Sequence, residues 1–585
     1  MIKNKIILLM LALLPLTMMA QADNDGRLTI TVDTVGQLAQ QLPDSVRFTV
    51  SELKICGPIN GSDLKILKAI TSHLTVKKPG ERLLTKLDLT DAIITESKGS
   101  FRTRSGIFPA GMFVNSKTLE QVFLPATMTE VSKSCFSGCV NLREVVMPEG
   151  LTVIGDNAFI GCSNLAYLKL PSTLTTIENR AFEGCSSLST VEIPEAVTHI
   201  DNAAFNKCTN IETLTFNCAI TRIANAAFAD CQRITSIELP QTVTLIEGNA
   251  FKGCSALESI IMPPTISEIG NSAFEDCTSL QNIEMGTATR IGSDAFKGCT
   301  SLASVEIGSV NRIGNGAFED CSNLTSASID GTINAIGTGT FSRCTNLNYV
   351  SLPGSVKTIG TRAFYECKSL PTIDLPSSLT RIYDHAFEGC ASLRSITIPN
   401  LVRDLGSDTF EGCISLDSVV IEGYINKIES DVFRDCHSLR TITLPVSVKS
   451  IGDNAFEQCS LLQDITLPIS VNSIGDNAFE RCVSLKNLIL PAACVTIGSG
   501  SFRECIGLKR VEFPAAIKKI GGNAFAKCVS LQEVTMTSPI PPDITSSTFK
   551  GVVLKACRFI IPTGAKHNFR KNKVWSKMPQ LIEQD

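Results

Sequence analysis

The sequence predicts an α/β solenoid of about 19–20 turns with short parallel strands and a cap at each end, and two observations predict it. Twenty phenylalanines, from Phe113 to Phe549, recur every 23 residues, apart from two steps of 22 and a last step of 24. Eighteen of the 23 cysteines, from Cys139 to Cys528, stand three residues after one of these phenylalanines. A period of this size, sustained so long, marks stacked units, none of which can bury its apolar face alone.

One unit runs Cys162-Ser-Asn-Leu165-Ala-Tyr167-Leu168-Lys169-Leu170-Pro171-Ser-Thr-Leu174-Thr-Thr-Ile177, then Glu-Asn-Arg-Ala181-Phe182. Leu168 and Leu170 alternate with Tyr167 and Lys169, the period-2 pattern of a short half-buried strand. Pro171 ends that strand because it has no amide to give a ladder. Leu174 and Ile177 pack the turn that follows, and the Ala-Phe pair sets a small and a large apolar side chain on the return side. Burying each such side chain is worth roughly 1.5–3 kcal/mol.

Written generally, the unit is Leu-x-x-Leu-x-Leu-Pro-x-x-Leu-x-x-Ile-Gly-x-x-Ala-Phe-x-x-Cys. It resembles the leucine-rich repeat, in its bacterial 23-residue class called treponemal or BspA-like, over roughly residues 105–550. The resemblance implies a right-handed stack with one short parallel strand per turn. It also implies a secreted or surface-attached interaction protein, in some relatives an adhesin for host matrix or partner bacteria. Residues 27–104 lack the repeat, and the stretch Leu53-Lys-Ile-Cys-Gly-Pro-Ile-Asn-Gly-Ser-Asp-Leu64 resembles the N-terminal cap of BspA-like proteins. Ser62 or Asp63 is placed to cap a helix running through Ile70. Phe559 to Gly564, then Trp575 to Ile582, resembles the closing cap, with the single Trp sealing the last turn.

Ahead of the caps lies an export signature. Lys3 and Lys5 precede the apolar run Ile6 to Leu14 and the small-residue segment Ala20-Gln21-Ala22, the order of a cleavable signal peptide. The expected organisation is a signal peptide over 1–22, an N-terminal cap over 23–104, the repeat region over 105–550 and a C-terminal cap over 551–585. The first cysteine is Cys56, so no lipid-acceptor cysteine stands at the cleavage site. The expectation is a secreted, cell-surface or periplasmic protein. No later stretch has the 18 apolar residues that a membrane helix needs.

Composition argues against several function classes. The net charge of −4 gives no field for nucleic acid. One Trp, five Tyr and five His are few for an enzyme of 585 residues. His73, His199, His385, His437 and His567 are scattered, and no metal-protease, Walker or serine-hydrolase motif is present. Gly337-Thr-Gly339 and Gly498-Ser-Gly500 fall at the repeat's own Ile-Gly turn and read as turn geometry. No catalytic residue, metal or cofactor is expected. The cysteines read as a buried, reduced ladder, because disulfides between neighbouring turns would make alternate turns unlike and the sequence shows no such alternation.

What remains is the outward face of the strands. Its candidate ligand-binding residues are Tyr167, Lys169, Glu192, Glu238, Ile261, Glu284, Glu306, Tyr349, Ser351, Asp374 and Thr397. The face is acidic between Glu192 and Glu306 and basic at the later strand starts Arg394, Arg440, Lys486 and Lys509. Its partner is expected to be a protein, host matrix or another bacterial surface protein. A glycan-binding or envelope-structural role is the other reading, weakened by the scarcity of exposed aromatic platforms. Both 22-residue steps lie between Phe274 and Phe318, where Gly286, Gly308 and Asp330 replace the usual proline, which predicts a local change of loop shape.

Overall fold

The computed structural model describes residues 22–98 and 101–584. Apart from Ala22, the export segment expected over 1–22 lies outside the described residues. The chain forms two compact units, Met1–His199 and Ile200–Asp585, and each is a parallel-strand solenoid.

One turn of the first unit shows how the repeat closes. Four tight turns bend it: the amide of Ala158 donates to Gly155 (3.1 Å), Cys162 to Phe159 (3.1 Å), Leu165 to Cys162 (3.0 Å) and Leu174 to Pro171 (3.1 Å). Pro171 stands where only a carbonyl is needed, so its missing N–H costs nothing. Between the corners run three backbone ladders, not the single strand per turn that the resemblance implied. The long ladder pairs Glu144–Val146 with Tyr167–Leu168. A short ladder, built from the Thr-x-Ile segment, pairs Val153–Ile154 with Thr176–Ile177. Strands of two residues carry no readable alternation, which is why the sequence pattern hides them.

The third ladder runs through the Ala-Phe segment. Here Asn157 donates to Asn179 (2.9 Å), Phe159 to Ala181 (2.7 Å) and Gly161 to Glu183 (2.7 Å) of the following turn. Asn157 (φ 55°) and Gly161 (φ 73°) are left-handed, and this alternation turns successive donor amides toward the same neighbour. Asn tolerates that region better than most residues, and glycine enters it freely. Gly339 (φ 63°) and Gly500 (φ 64°) occupy the same left-handed site, which accounts for both glycine pairs as turn geometry.

The interior is a column of phenylalanine rings. In the first unit Phe136–Phe159 and Phe159–Phe182 stack at 5.2 Å with planes 3° apart. In the second, the column runs from Phe205–Phe228 (5.5 Å, 4°) to Phe525–Phe549 (5.6 Å, 15°). Offset ring pairs of this kind add about 0.5–1.5 kcal/mol each beyond burial. The cysteines are free thiols, and all but Cys56 are buried. Each ladder cysteine lies against the preceding turn: Cys162 donates to the Phe136 carbonyl and Cys344 to the Phe318 carbonyl, both at 3.1 Å. Burial pushes these thiols up, to about 12 at Cys254 and Cys390.

The two shortened turns leave the interior and the short ladder intact. Phe274–Phe296 and Phe296–Phe318 keep 5.3 and 5.4 Å. The short ladder continues through Glu268–Ile269, Arg290–Ile291 and Arg312–Ile313. The long ladder stops after Asn282–Ile283 and starts again at Ser304–Ile307. Each lost residue is taken from the loop between the ladders, one around Gly286 (φ 54°) and one around Gly308, since Ile283 to Ile291 and Val305 to Ile313 are eight positions apart where Ile260 to Ile269 are nine.

Strands of the terminal segments extend the long ladder. In the first unit Arg27–Thr31, Glu52–Ile59 and Lys86–Asp88 lead in register to Gln121–Phe123. The helix Gly61–Thr71 is capped by Asn60, not by Ser62 or Asp63: Asn60 Oδ1 accepts from the Ser62 amide at 2.8 Å. Asp63 closes the box from inside the helix, accepting from the Asn60 amide at 3.0 Å. Its carboxylate also receives the amides of Gly36 (2.7 Å) and Leu38 (3.0 Å), so it fastens the preceding loop as well. In the second unit Glu533–Met536 pairs with Arg558–Ile561 and then Leu581–Glu583. Trp575, fully buried, meets Phe549, Phe559 and Phe569 edge-on and donates Nε1–H to the Pro542 carbonyl at 2.8 Å. Among the described residues, helices occur only within 38–71 and 566–577.

Candidate functional site

Because alternate strand residues point to opposite faces, the long ladder sets Val145 or Ile237 inward and their neighbours out. In the first unit Tyr167 is 72% exposed, and Lys169 and Glu192 are exposed. In the second unit Glu238 lies opposite Ile261 across Ser236–Glu238 and Ser259–Ile261, with both side chains exposed. Glu284 follows the strand Asn282–Ile283 and is exposed. Glu306 faces Ser328, which faces the half-buried Ser351, and Tyr349 stands exposed on the same strand as Ser351. The ladder thus gathers Glu238 with Ile261, and Glu306 with Ser351 and Tyr349. Thr397 belongs to another sheet fragment, opposite Val420. Asp374 is exposed on a turn that forms no long strand. There Pro371 occupies the strand start and has no amide to donate, although its carbonyl still accepts from Arg394 at 3.1 Å.

Charge on this face is unevenly neutralised. Among the described residues Glu238, Glu284 and Glu306 have no cation within ion-pair reach, whereas nearby Glu212 holds Arg233 at 3.0 Å. At the basic end Arg440 is held by Asp417 at 3.4 Å.

Two further surfaces were not legible in the strand pattern. The exposed positions of the short ladder carry Lys357, Arg381, Arg403, Lys427 and Lys449 on five successive turns. The residues two and one before each inward short-ladder Ile or Leu, followed at the same 23-residue step, would have disclosed these cations. Along the Ala-Phe edge, charges from successive turns interlock: Lys252–Glu275 at 2.8 Å, Lys297–Glu319 at 3.1 Å, and Arg481–Glu504–Lys527 at 3.0 and 2.7 Å. Between residues 385 and 457 this edge runs short of cations. Arg434 alone serves Glu411 (3.6 Å), Asp431 (3.4 Å), Asp435 (3.8 Å) and Glu457 (3.6 Å). Burial, the adjoining Asp408 and the charge of Glu388 push the Glu411 carboxyl up to about 7. Asp431 and Glu457 are raised too, in each case first by burial.

The histidines do not converge. His199 and His567 are exposed, His73 packs on Phe48 at 4.4 Å, His437 Nδ1 meets the Gln458 carbonyl at 3.0 Å, and His385 lies between Glu388 (2.7 Å) and Asp408 (3.9 Å). Among the described residues no group of three or more His, Cys, Asp or Glu is placed to hold a metal ion, and no helix is long and apolar enough to cross a membrane. The surfaces can bind by charge, hydrogen bonds and a few apolar contacts.

Comparison with known proteins agrees with this architecture. The profile of the BspA type leucine rich repeat region (6 copies) matches residues 107–235, 221–348, 311–440 and 426–555. Among solved structures, a leucine-rich repeat protein from Bacteroides ovatus is 25% identical, with a TM-score of 0.39 over 72% of this chain and 92% of that one. A leucine rich cell surface protein from Faecalibacterium prausnitzii is 26% identical, with a TM-score of 0.36 over 52% of this chain and 87% of that one. A T. pallidum leucine rich repeat protein is 30% identical, with a TM-score of 0.25 over 28% of this chain and 72% of that one. No curated protein matches the chain. The matched stretches run without a gap from residue 107 to 555, and the chain belongs to the family of BspA type leucine-rich repeat proteins.

Proposed function

We propose that this is an exported, non-catalytic binding protein that engages a protein ligand, in adhesion to host matrix or to another bacterial surface, through the outward face of its long ladder. Residues 23–104 and 551–585 close the ends of the repeat region 105–550 in this reading. The observation that carries it is the set of unpaired carboxylates Glu238, Glu284 and Glu306 beside the exposed Ile261 and Tyr349, on the outward side of two successive fragments of the long ladder. Tyr167, Lys169 and Glu192 offer the corresponding surface of the first unit, and Ser351, Asp374 and Thr397 extend that of the second. Unpaired surface charge steers an encounter and sets its specificity, while the exposed aromatic and aliphatic side chains supply contact area. A non-obligate interface of this polar kind predicts modest monovalent affinity. The test is capture of matrix and bacterial surface proteins by the immobilised protein, beside a glycan array. Saturable protein capture should weaken between about 50 and about 500 mM salt, and again on Glu238→Lys with Glu284→Lys. Capture indifferent to both changes, or a response confined to glycans, removes the proposal.

A further inference from the structure

We propose that the short ladder of the second unit is a docking strip for an extended polyanion of the acidic-polysaccharide class, separate from the protein-binding face. At about 4.8 Å per turn, the five successive cations Lys357, Arg381, Arg403, Lys427 and Lys449 form a positive file about 20 Å long. Each is exposed. Within these positions only Asp404 carries opposing charge, 3.7 Å from Arg381, and Glu429 answers Lys427 from the loop beyond. Among the described residues Lys357 and Lys449 have no ion-pair partner.

The middle of the file is recessed and preorganised. Arg381, Arg403 and Lys427 line a concavity of about 380 Å³ together with three carboxylates, Asp384, which accepts from the Ser407 amide at 3.0 Å, and Asp404 and Glu429, which are paired with Arg381 and Lys427. Arg381 lies over the Tyr383 ring at 4.4 Å and Arg403 over the Tyr424 ring at 5.8 Å. Arg403 also donates to the carbonyls of Asn400 (2.8 Å) and Val402 (3.2 Å), which fixes its plane. Guanidiniums held in place this way lose little freedom on meeting sulfate or carboxylate.

The same geometry disfavours other polyanions. Single-stranded nucleic acid needs a run of bare rings for its bases to stack on, whereas Arg381 lies over Tyr383 and Arg403 takes one face of the exposed Tyr424. An acidic protein segment needs apolar anchors, and the other short-ladder positions of these turns are Thr358, Thr380, Asp404, Asn426 and Ser450, with the exposed Leu401, Tyr424 and Val446 confined to the adjoining loops. A linear, evenly charged chain asks only for evenly spaced cations.

The experiment measures capture of dextran sulfate by the full chain, with neutral dextran, single-stranded DNA and polyglutamate as competitors. The expected result is capture of dextran sulfate alone, falling roughly tenfold or more between about 50 and about 200 mM salt as counterions compete. Lys357→Glu with Lys449→Glu should reduce capture at least about tenfold, the loss expected when two phosphate-like contacts turn repulsive. Lys486→Glu with Lys509→Glu makes the same change of net charge on the long-ladder face and should leave capture nearly intact. Absence of capture at low salt, equal loss in both double variants, or equal capture of DNA or polyglutamate overturns the assignment.

Discussion

The Arg434 guanidinium lies 3.6 Å from the Glu411 carboxylate on the preceding turn, and it is shared with three other carboxylates. One cation cannot neutralise four anions, and burial first, then the adjoining Asp408 and the charge of Glu388, raise the Glu411 carboxyl to about 7 against the pull of Arg434.

A pH dependence follows with a definite sign. Glu411 binds its proton more tightly when folded than when unfolded, so its contribution is fully present below its ordinary value near 4.5 and is lost as pH rises through about 7. Asp431 and Glu457 are raised as well and act in the same direction. Amide exchange over residues 385–457, corrected for intrinsic rates, should slow between about pH 8 and about pH 5.5. Glu411→Gln should raise protection at the upper pH and flatten the profile. Protection that rises with pH would show that the edge is stabilised by its charges.

The ring column should respond as a packed core. Phe364 stacks on Phe341 at 5.5 Å and on Phe387 at 5.3 Å, and it is fully buried. Phe364→Ala removes both contacts and leaves a cavity, at a cost of about 3–5 kcal/mol. Phe364→Leu should cost less, and urea unfolding followed by circular dichroism ranks the two.

The thiols divide by burial. In the folded protein a brief alkylation near pH 8 should label Cys56 and spare the ladder, whose thiols are buried and raised in pKa. Denaturation should open all 23 to reagent, counted by mass spectrometry. Cys344→Ala removes the thiol donor from the Phe318 carbonyl, which keeps the Cys321 amide at 3.3 Å, and the lost bond should cost about 0.5–1.5 kcal/mol.

Trp575 reports on one end of the second unit. Its fluorescence should be blue-shifted and poorly quenched by iodide, because its ring is buried among Phe549, Phe559 and Phe569. Trp575→Ala loses that packing and the bond to the Pro542 carbonyl, at about 3–5 kcal/mol. Protease cleavage should then begin in residues 540–585. Cleavage that begins elsewhere would show that this end does not depend on the Trp.

The repeat was legible because each of its core positions recurs with the same residue type: Phe159 and Phe182, Cys162 and Cys185, Leu165 and Leu188 name their own neighbours 23 residues away. The long-ladder face was legible for the same reason, since Leu168 and Val191 point inward and their flanking residues must point out. The helix cap was misplaced by two or three residues because Asn60, Ser62 and Asp63 are all good capping residues, and only the path of the chain selects Asn60.

By itself the sequence determined the stack, its interior and the face of the long strands, because a parallel register of identical turns forces like residues into columns. The tertiary structure alone decided what runs between those columns. It showed the short ladder, whose two-residue strands are too brief to print a pattern, and the alternating left-handed segment that carries the third. It also decided which charges meet across turns, such as Arg434 with Glu411, because the positions involved vary from turn to turn and only backbone geometry brings them within reach.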